Sequence, residues 1–331
     1  MAKLTGTYGI LYSAGNLELV KPDAGIAASV PMQWTGIDCS ASHDAVNLQP
    51  PVSASNSHVY FRDGGKIRMV VPPNDAVDVT TVSNTPTVVS FFSVSPDDTR
   101  IAVVVVDVTM PSTFYTLLYV EDLRGSGNHR DIYSVTAPKA GSPTTLWPMG
   151  WHNGNLVLAV VRACTFEPVG LNPMEWHVSN ATTAVRVATI KSTNNCVLSV
   201  WPSPAGVACA APSGPTTMYD WSDKTLGVTG PGVTFDGSNT GLSPAGQSIF
   251  FSTGVGIAVT TPVTRLVQLG PGPYATLQGY AACLWIDEDH LLAPNAVISF
   301  AAETPGNVQV TAGVTALPQS GVCAGRFPGG L

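Results

Sequence analysis

Apolar residues in this chain come in short runs rich in Val, Ile, Phe and Tyr, separated by clusters of Ser, Pro, Gly, Asn and Asp. Runs of that length and composition, bounded by turn residues, predict strands and not helices. The clearest unit spans Pro86 to Ser134. It opens with Thr87-Val-Val-Ser-Phe-Phe-Ser-Val, turns at Ser95-Pro-Asp-Asp-Thr, and continues with Arg100-Ile-Ala-Val-Val-Val-Val-Asp. After a loop rich in Pro and Ser, Phe114-Tyr-Thr-Leu-Leu-Tyr-Val-Glu and Arg130-Asp-Ile-Tyr-Ser complete a meander of four strands.

The strand–turn–strand junction at the start of that unit recurs. Ser203-Pro-Ala-Gly precedes Val207-Ala-Cys-Ala, and Ser243-Pro-Ala-Gly precedes Ser248-Ile-Phe-Phe. His152-Asn-Gly-Asn, Asp287-Glu-Asp and Ser53-Ala-Ser-Asn-Ser stand at equivalent places before Leu156, His290 and His58. Second strands marked by Val59, Ile101, Leu156, Cys209, Ile249 and Leu291 repeat every ~40 to 55 residues, the period of propeller blades. Phe92, Trp151, Trp201 and Trp285 stand just before these turns. Large flat rings there suit packing between neighbouring sheets.

The ends complete the pattern. Gly9-Ile-Leu-Tyr-Ser and Asn16-Leu-Glu-Leu-Val are two strands with no first strand before them. Gly321-Val-Cys-Ala-Gly-Arg-Phe is a strand with no sheet after it. Pairing them makes a seventh blade, shared by about residues 5–30 and 318–331, and removes the exposed edges that an open ring would carry. The expected fold is all-β: one β-propeller domain over residues 1–331, of seven four-stranded blades. Six blades is the alternative, if the terminal segments only complete the blade marked by Leu291.

Ser95-Pro-Asp-Asp-Thr-Arg-Ile-Ala-Val and Ser243-Pro-Ala-Gly-Gln-Ser-Ile-Phe-Phe resemble the repeat of the TolB-like and WD40-like propellers, in which a first strand ends in Ser-Pro-Asp-Gly. Asp98 stands where that repeat has glycine, and the Trp-Asp ending of strict WD40 repeats is absent. The motif builds hairpins, so the resemblance implies a scaffold, with binding as the commoner use and catalysis the rarer one.

Composition narrows the partners. Charged residues are 11% of the chain, hydrophobic residues 44%, and the net charge is -7 with 15 basic residues. No Lys/Arg stripe exists to neutralise a phosphate backbone, which disfavours nucleic acid. No apolar run reaches the length of a membrane span. The amino terminus lacks the apolar region of a signal peptide. Sparse charge and heavy Ser/Thr/Pro/Gly use lean toward an extracellular or periplasmic protein, with the cytoplasm as the alternative. Asn180-Ala-Thr182 matches a glycosylation sequon that matters only in a eukaryotic secretory setting.

Six cysteines (39, 164, 196, 209, 283 and 323) allow up to three disulfides, and their spacings match no zinc pattern. Cys196 and Cys209 flank a predicted hairpin turn and form the leading pair. Buried, unpaired thiols are the alternative.

In a propeller, the turns between second and third strands and the connections between blades gather on one face, here called the loop face. The longest insertion there is 162–177, with Arg162, Glu167, Glu175, Trp176 and His177. An arginine, two carboxylates and an exposed aromatic suit a polar ligand or a partner peptide. The bland alternative pairs Arg162 with Glu167 and packs Trp176 between blades. The loop from Asp107 to Tyr115 approaches the same face, and Asp63 beside Arg62 forms a sharp turn in the first internal blade. Trp34 and Tyr280 fall at blade junctions and are expected at the channel mouth. Asp287 and Asp289 are weak candidates for Ca²⁺, against a solvated turn; no other cofactor is indicated. No nucleophile elbow, dinucleotide fingerprint or Walker sequence is present.

The expectation is a non-enzymatic propeller that binds a protein, peptide or glycan through its loop face. The alternative is a hydrolase or lyase with a polar site at the channel mouth. A structural module of a larger surface protein is a third reading.

Overall fold

The apolar runs become strands, and each group of four pairs into an antiparallel sheet set radially around an axis. The computed structural model describes residues 3–34, 50–140, 144–162, 173–191, 196–211, 215–229, 239–253, 262–268, 274–302 and 310–331. Seven sheets close the ring.

Blade 1 takes its innermost strand, Val322–Phe327, from the far end of the chain, followed outward by Tyr8–Ser13, Asn16–Val20 and Ile26–Pro31. Blade 2 is Val52–Ala54, Val59–Asp63, Lys66–Val71 and Asp75–Thr81. Blade 3 is Val88–Val94, Arg100–Asp107, Thr113–Asp122 and Arg130–Pro138, with the two-residue strand Asn84–Thr85 on its inner edge. Blade 4 is Thr144–His152, Asn155–Arg162, Glu175–Asn180 and Arg186–Lys191. Blade 5 is Val197–Leu198, Val207–Ala210, Thr217–Tyr219 and Thr225–Val228. Blade 6 is Asn239–Leu242, Ser248–Thr253, Val263–Gln268 and Tyr274–Gln278. Blade 7 is Leu284–Trp285, His290–Ala293, Ala296–Ala302 and Val310–Ala316. All six marker residues, Val59 to Leu291, lie in second strands.

Ring closure is a register of backbone pairs, with Tyr8 opposite Phe327, Gly9 opposite Arg326 and Tyr12 opposite Val322. It buries Ile10, Ala324 and Phe327 in one cluster with Val59 and Phe61 of blade 2. A disulfide between Cys283 and Cys323 ties the entry to blade 7 to the closing strand, across 40 residues of sequence. In the chain-entropy description, a link over that separation removes unfolded-state freedom worth about 4 kcal/mol. The expected bond between Cys196 and Cys209 is present, crossing the first two strands of blade 5 with a Cα separation of 5.3 Å. Cys39 and Cys164 lie outside the described residues.

Ring stacking between sheets follows the aromatic positions. Trp147 of blade 4 stacks on Phe91 of blade 3 at 4.1 Å. Trp151 is buried, and its indole donates to the Ser93 carbonyl of blade 3 at 3.3 Å. Trp285 of blade 7 donates to the Gly241 carbonyl of blade 6 at 2.9 Å. These indoles sit deep in apolar seams and still satisfy their one polar group, as buried tryptophans do.

Asp98 explains its departure from the repeat. Its φ of 60° is the left-handed conformation that favours glycine. The carboxylate accepts from Tyr60 at 2.8 Å and lies 3.1 Å from His58 Nδ1, both on blade 2. A turn strain of order 1 kcal/mol is offset by an inter-blade latch that glycine lacks. The same carboxylate, after burial, pushes the Tyr60 hydroxyl far above its ordinary range.

A second polar clip lies on blade 3. His129 sits between the buried Glu121 carboxylate (2.7 Å) and Asp131 (3.0 Å) and packs on Tyr119. Both ring nitrogens face carboxylates, so the imidazolium is favoured. The Glu121 hydrogen bond, reinforced by Asp131, raises the His129 pKa above its ordinary value. A raised folded-state pKa gives stability that is full below about pH 6.5 and fades as pH rises through the folded value. His129→Gln is therefore expected to lower the melting temperature most near pH 5.5 and least near pH 8.5. Because the ring is half-exposed, the effect is at most about 1 kcal/mol. A difference that grows with pH would contradict the clip.

Candidate functional site

Alternation along a strand sends residues i and i+2 to one face and i+1 to the other. In Glu175–Asn180 this rule separates the three residues that stand together in the sequence. Glu175 and His177 face blade 3, and Trp176 faces blade 5. The expectation of a loop through residue 177 is thus corrected: the third strand begins at Glu175. Trp176 is no exposed anchor. It is fully buried and meets Trp221 of blade 5 edge-on at 5.9 Å.

Glu175 and His177 line a cleft of about 310 Å³ between blades 3 and 4. Its other wall comes from Thr116, Tyr133 and Val135 of blade 3, and Arg186 and Met174 edge it on blade 4. Thr116 and Thr145 bridge the seam through their hydroxyls at 3.1 Å. Tyr133 and Met174 are 41% and 43% exposed, which leaves apolar surface at the rim of a polar floor.

The floor is a hydrogen-bonded dyad. His177 Nε2 lies 2.8 Å from Glu175 Oε2, while Lys191 reaches Glu175 Oε1 at 3.2 Å. Burial drives the His177 imidazole below its ordinary pKa against the pull of Glu175, and the positive charges of Arg186 and Lys191 add to the lowering. Burial works to raise the Glu175 carboxyl, but the His177 and Lys191 hydrogen bonds outweigh it and hold it low. The resulting state at neutral pH is a carboxylate accepting an N–H from a neutral imidazole. It suits recognition of hydrogen-bonding groups, to which the hydroxyl-bearing Thr144 and Tyr133 on the same lining add.

The remaining predicted residues are dispersed. Arg162 is exposed at the end of its strand, opposite Thr144, but its side chain is not part of the cleft wall. Glu167 lies outside the described residues. Asp107 caps its own turn by accepting from the Thr109 amide at 2.8 Å. Tyr115, opposite Asp107 in register, is 38% exposed and points away from the cleft that its neighbour Thr116 lines. Asp63, on blade 2, accepts from the Gln33 amide at 3.0 Å and pairs with Arg68 of the same blade at 3.2 Å.

Trp34 and Tyr280 are not among the residues that line the axial cavity. Trp34 packs edge-on against Tyr12 at 5.2 Å, and Tyr280 packs against the apolar cluster of blades 6 and 7. The channel itself narrows to a cavity of about 80 Å³ among Trp147, Trp201, Trp285 and Arg326. Leu331 and Gly329 also line it, with the Leu331 amide donating to the Trp151 carbonyl at 3.2 Å. A Cβ at Gly150 would meet the Leu331 side chain and oblige it to shift.

Asp287 closes its own turn. Its oxygens accept from Thr7 (3.1 Å) and the Asp289 amide (2.9 Å), and one lies 2.7 Å from His290 Nδ1. Glu288 accepts from the Ala245 amide of blade 6. No group of three or more metal-ligating side chains occurs among the described residues. The spacing Glu175-x-His177 was the one available sequence signal for the dyad, since two residues apart on a strand means one face. Arg186, Thr116 and Thr145 carried no such signal.

No family profile matches the chain, and no curated protein matches it. Among solved structures it is similar to an oligogalacturonate lyase in complex with manganese, at 10% identity and a TM-score of 0.52, over 92% of this chain and 83% of that one. It is also similar to the WD40 domain of SCAP from fission yeast (11% identity, TM-score 0.42, 95% and 85% covered). A third is BamB from Moraxella catarrhalis (11% identity, TM-score 0.38, 96% and 89% covered). At such identities the likeness concerns the fold alone: the chain is a seven-bladed β-propeller.

Proposed function

We propose that this propeller is a binding protein that takes an extended segment of a partner protein into the cleft between blades 3 and 4. The carrying observation is the cleft itself, a polar floor of Glu175 and His177 under an exposed rim of Tyr133, Met174 and Arg186. Polar groups below and aromatic or thioether surface above match the division between specificity and burial in protein recognition. The hydrolase or lyase reading has less support, because the axial cavity is small and the Glu175–His177 dyad, with both pKa values lowered, stands off the axis.

The same reading places the protein outside the cytoplasm. The two disulfides among the described residues favour an oxidising compartment. No described helix is long and apolar enough to cross a membrane.

Selection of a random-peptide library on the wild-type protein tests the proposal. Thr145→Trp fills the cleft floor, so peptides enriched on the wild type are expected to bind this variant at least ~10-fold more weakly. Equal binding by a variant with an unchanged circular dichroism spectrum would place recognition elsewhere.

A further inference from the structure

Among the described residues, no carboxylate pairs with Arg62. It is 2% exposed, and its Nε and Nη1 atoms are buried without a hydrogen-bond partner. We propose that Arg62 is the floor of a buried site for a small monovalent anion, of the chloride or formate class, in the seam between blades 2 and 3.

Register locates the site. Arg62 and Tyr60 lie two residues apart on Val59–Asp63 and share the face toward blade 3. Tyr60 packs there with Phe92 and Val94, and Ser53, opposite Tyr60, accepts the Val94 amide at 2.9 Å. One pleat further toward the loop face, Arg62 stands opposite Ile67, which packs with Val82 and Phe92. The guanidinium is thus held in an apolar seam.

Most polar groups on that seam have partners of their own, including Asp107 at the end of Arg100–Asp107, which accepts from the Thr109 amide. Ser90 donates to the Ser83 carbonyl at 2.7 Å, and the Tyr60 hydroxyl is turned to Asp98. The adjacent Asp63 carboxylate, one residue on and therefore on the opposite face, is held by Arg68 and the Gln33 amide. Burial alone lowers the Arg62 pKa, to about 10, which leaves it charged at neutral pH.

An unpaired buried charge is among the most costly features a fold can carry. Water can satisfy the N–H groups but leaves the charge uncompensated; an anion does both. The apolar walls and near-complete burial restrict the ligand to a few atoms.

The test compares melting of the full chain in sodium chloride, sodium formate and sodium gluconate at matched ionic strength. Gluconate, a bulky polyol carboxylate, is the large-anion control. The expected result is a saturable rise of about 2 °C or more with chloride or formate over gluconate, through preferential binding to the folded state. Whichever small anion acts at lower concentration identifies the favoured class. Arg62→Met fills the space without charge and is expected to abolish the difference. Should that variant fail to fold, bromide-soaked crystals of the wild type are expected to show an anomalous peak within hydrogen-bond distance of the guanidinium. Equal melting in all three salts, a difference that persists in Arg62→Met, or no bromide at Arg62 would each overturn the proposal.

Discussion

Removing Val322–Leu331 is expected to abolish the cooperative native state, because it takes the innermost strand out of blade 1. Tyr8–Ser13 then loses its inner ladder partner, and the cluster around Ile10 and Phe61 loses Ala324 and Phe327. The Cys283–Cys323 link disappears with the same segment. Each propeller blade buries its faces only against its neighbours, so opening the ring exposes the facing sides of blades 1 and 7. Fully buried Phe327 alone is worth about 3–5 kcal/mol when truncated, a large part of a typical domain's whole stability. Circular dichroism melts and gel filtration of the truncated chain read the outcome. A sharp transition within a few degrees of the full-length protein would show that six blades and a remnant are self-sufficient.

Trp176→Ala is expected to cost about 3–5 kcal/mol, the range for a large aromatic removed from a close-packed core. The ring has no exposed surface and joins blades 4 and 5 through Trp221, within a cluster that includes Leu156, Ile190 and Leu198. Trp176→Phe separates the terms. It keeps much of the ring packing and removes an indole N–H that finds no acceptor. Its cost is therefore expected to be much smaller than that of the alanine variant, since an unpaired buried donor is itself unfavourable. Urea titration of both variants checks the order. If alanine were tolerated within about 1 kcal/mol, the described packing of the blade 4–5 seam would be wrong.

What was legible in advance follows a physical division. The second strands, from Val59 to Leu291, were readable because a buried sheet demands apolar β-branched runs and a tight hairpin demands Ser, Pro, Gly and Asp. Ring closure was readable for the same reason, since two orphan strands at opposite ends imply each other. Cys196 and Cys209 face each other across a single hairpin, so local spacing sufficed. Cys283 and Cys323 lie a whole blade apart in sequence and meet only when the closing strand packs beside blade 7, and nothing local marks them. Trp176 and His177 were misplaced because a strand whose two faces pack against different blades mixes charge with aromatics and imitates a loop. Arg186, Thr116 and Thr145 meet Glu175 from separate strands, and only the angle between two blades brings them together.

Asp98 was visible as a departure from the repeat, yet its reason lay forty residues upstream, in His58 and Tyr60.

The closing strand also governs how the chain must acquire its structure in time. Tyr8–Ser13 is made before the six internal blades and its inner partner, Val322–Phe327, after them. During synthesis the opening hairpin therefore waits with an unsatisfied ladder while the six internal blades assemble behind it. Contacts of such long sequence separation are slow to form, and an unpaired edge held open that long invites pairing with another chain. Joining the two ends by a short linker and reopening the chain between blades would make that contact local. Such a permuted chain would keep the same ring while completing every blade as it emerges.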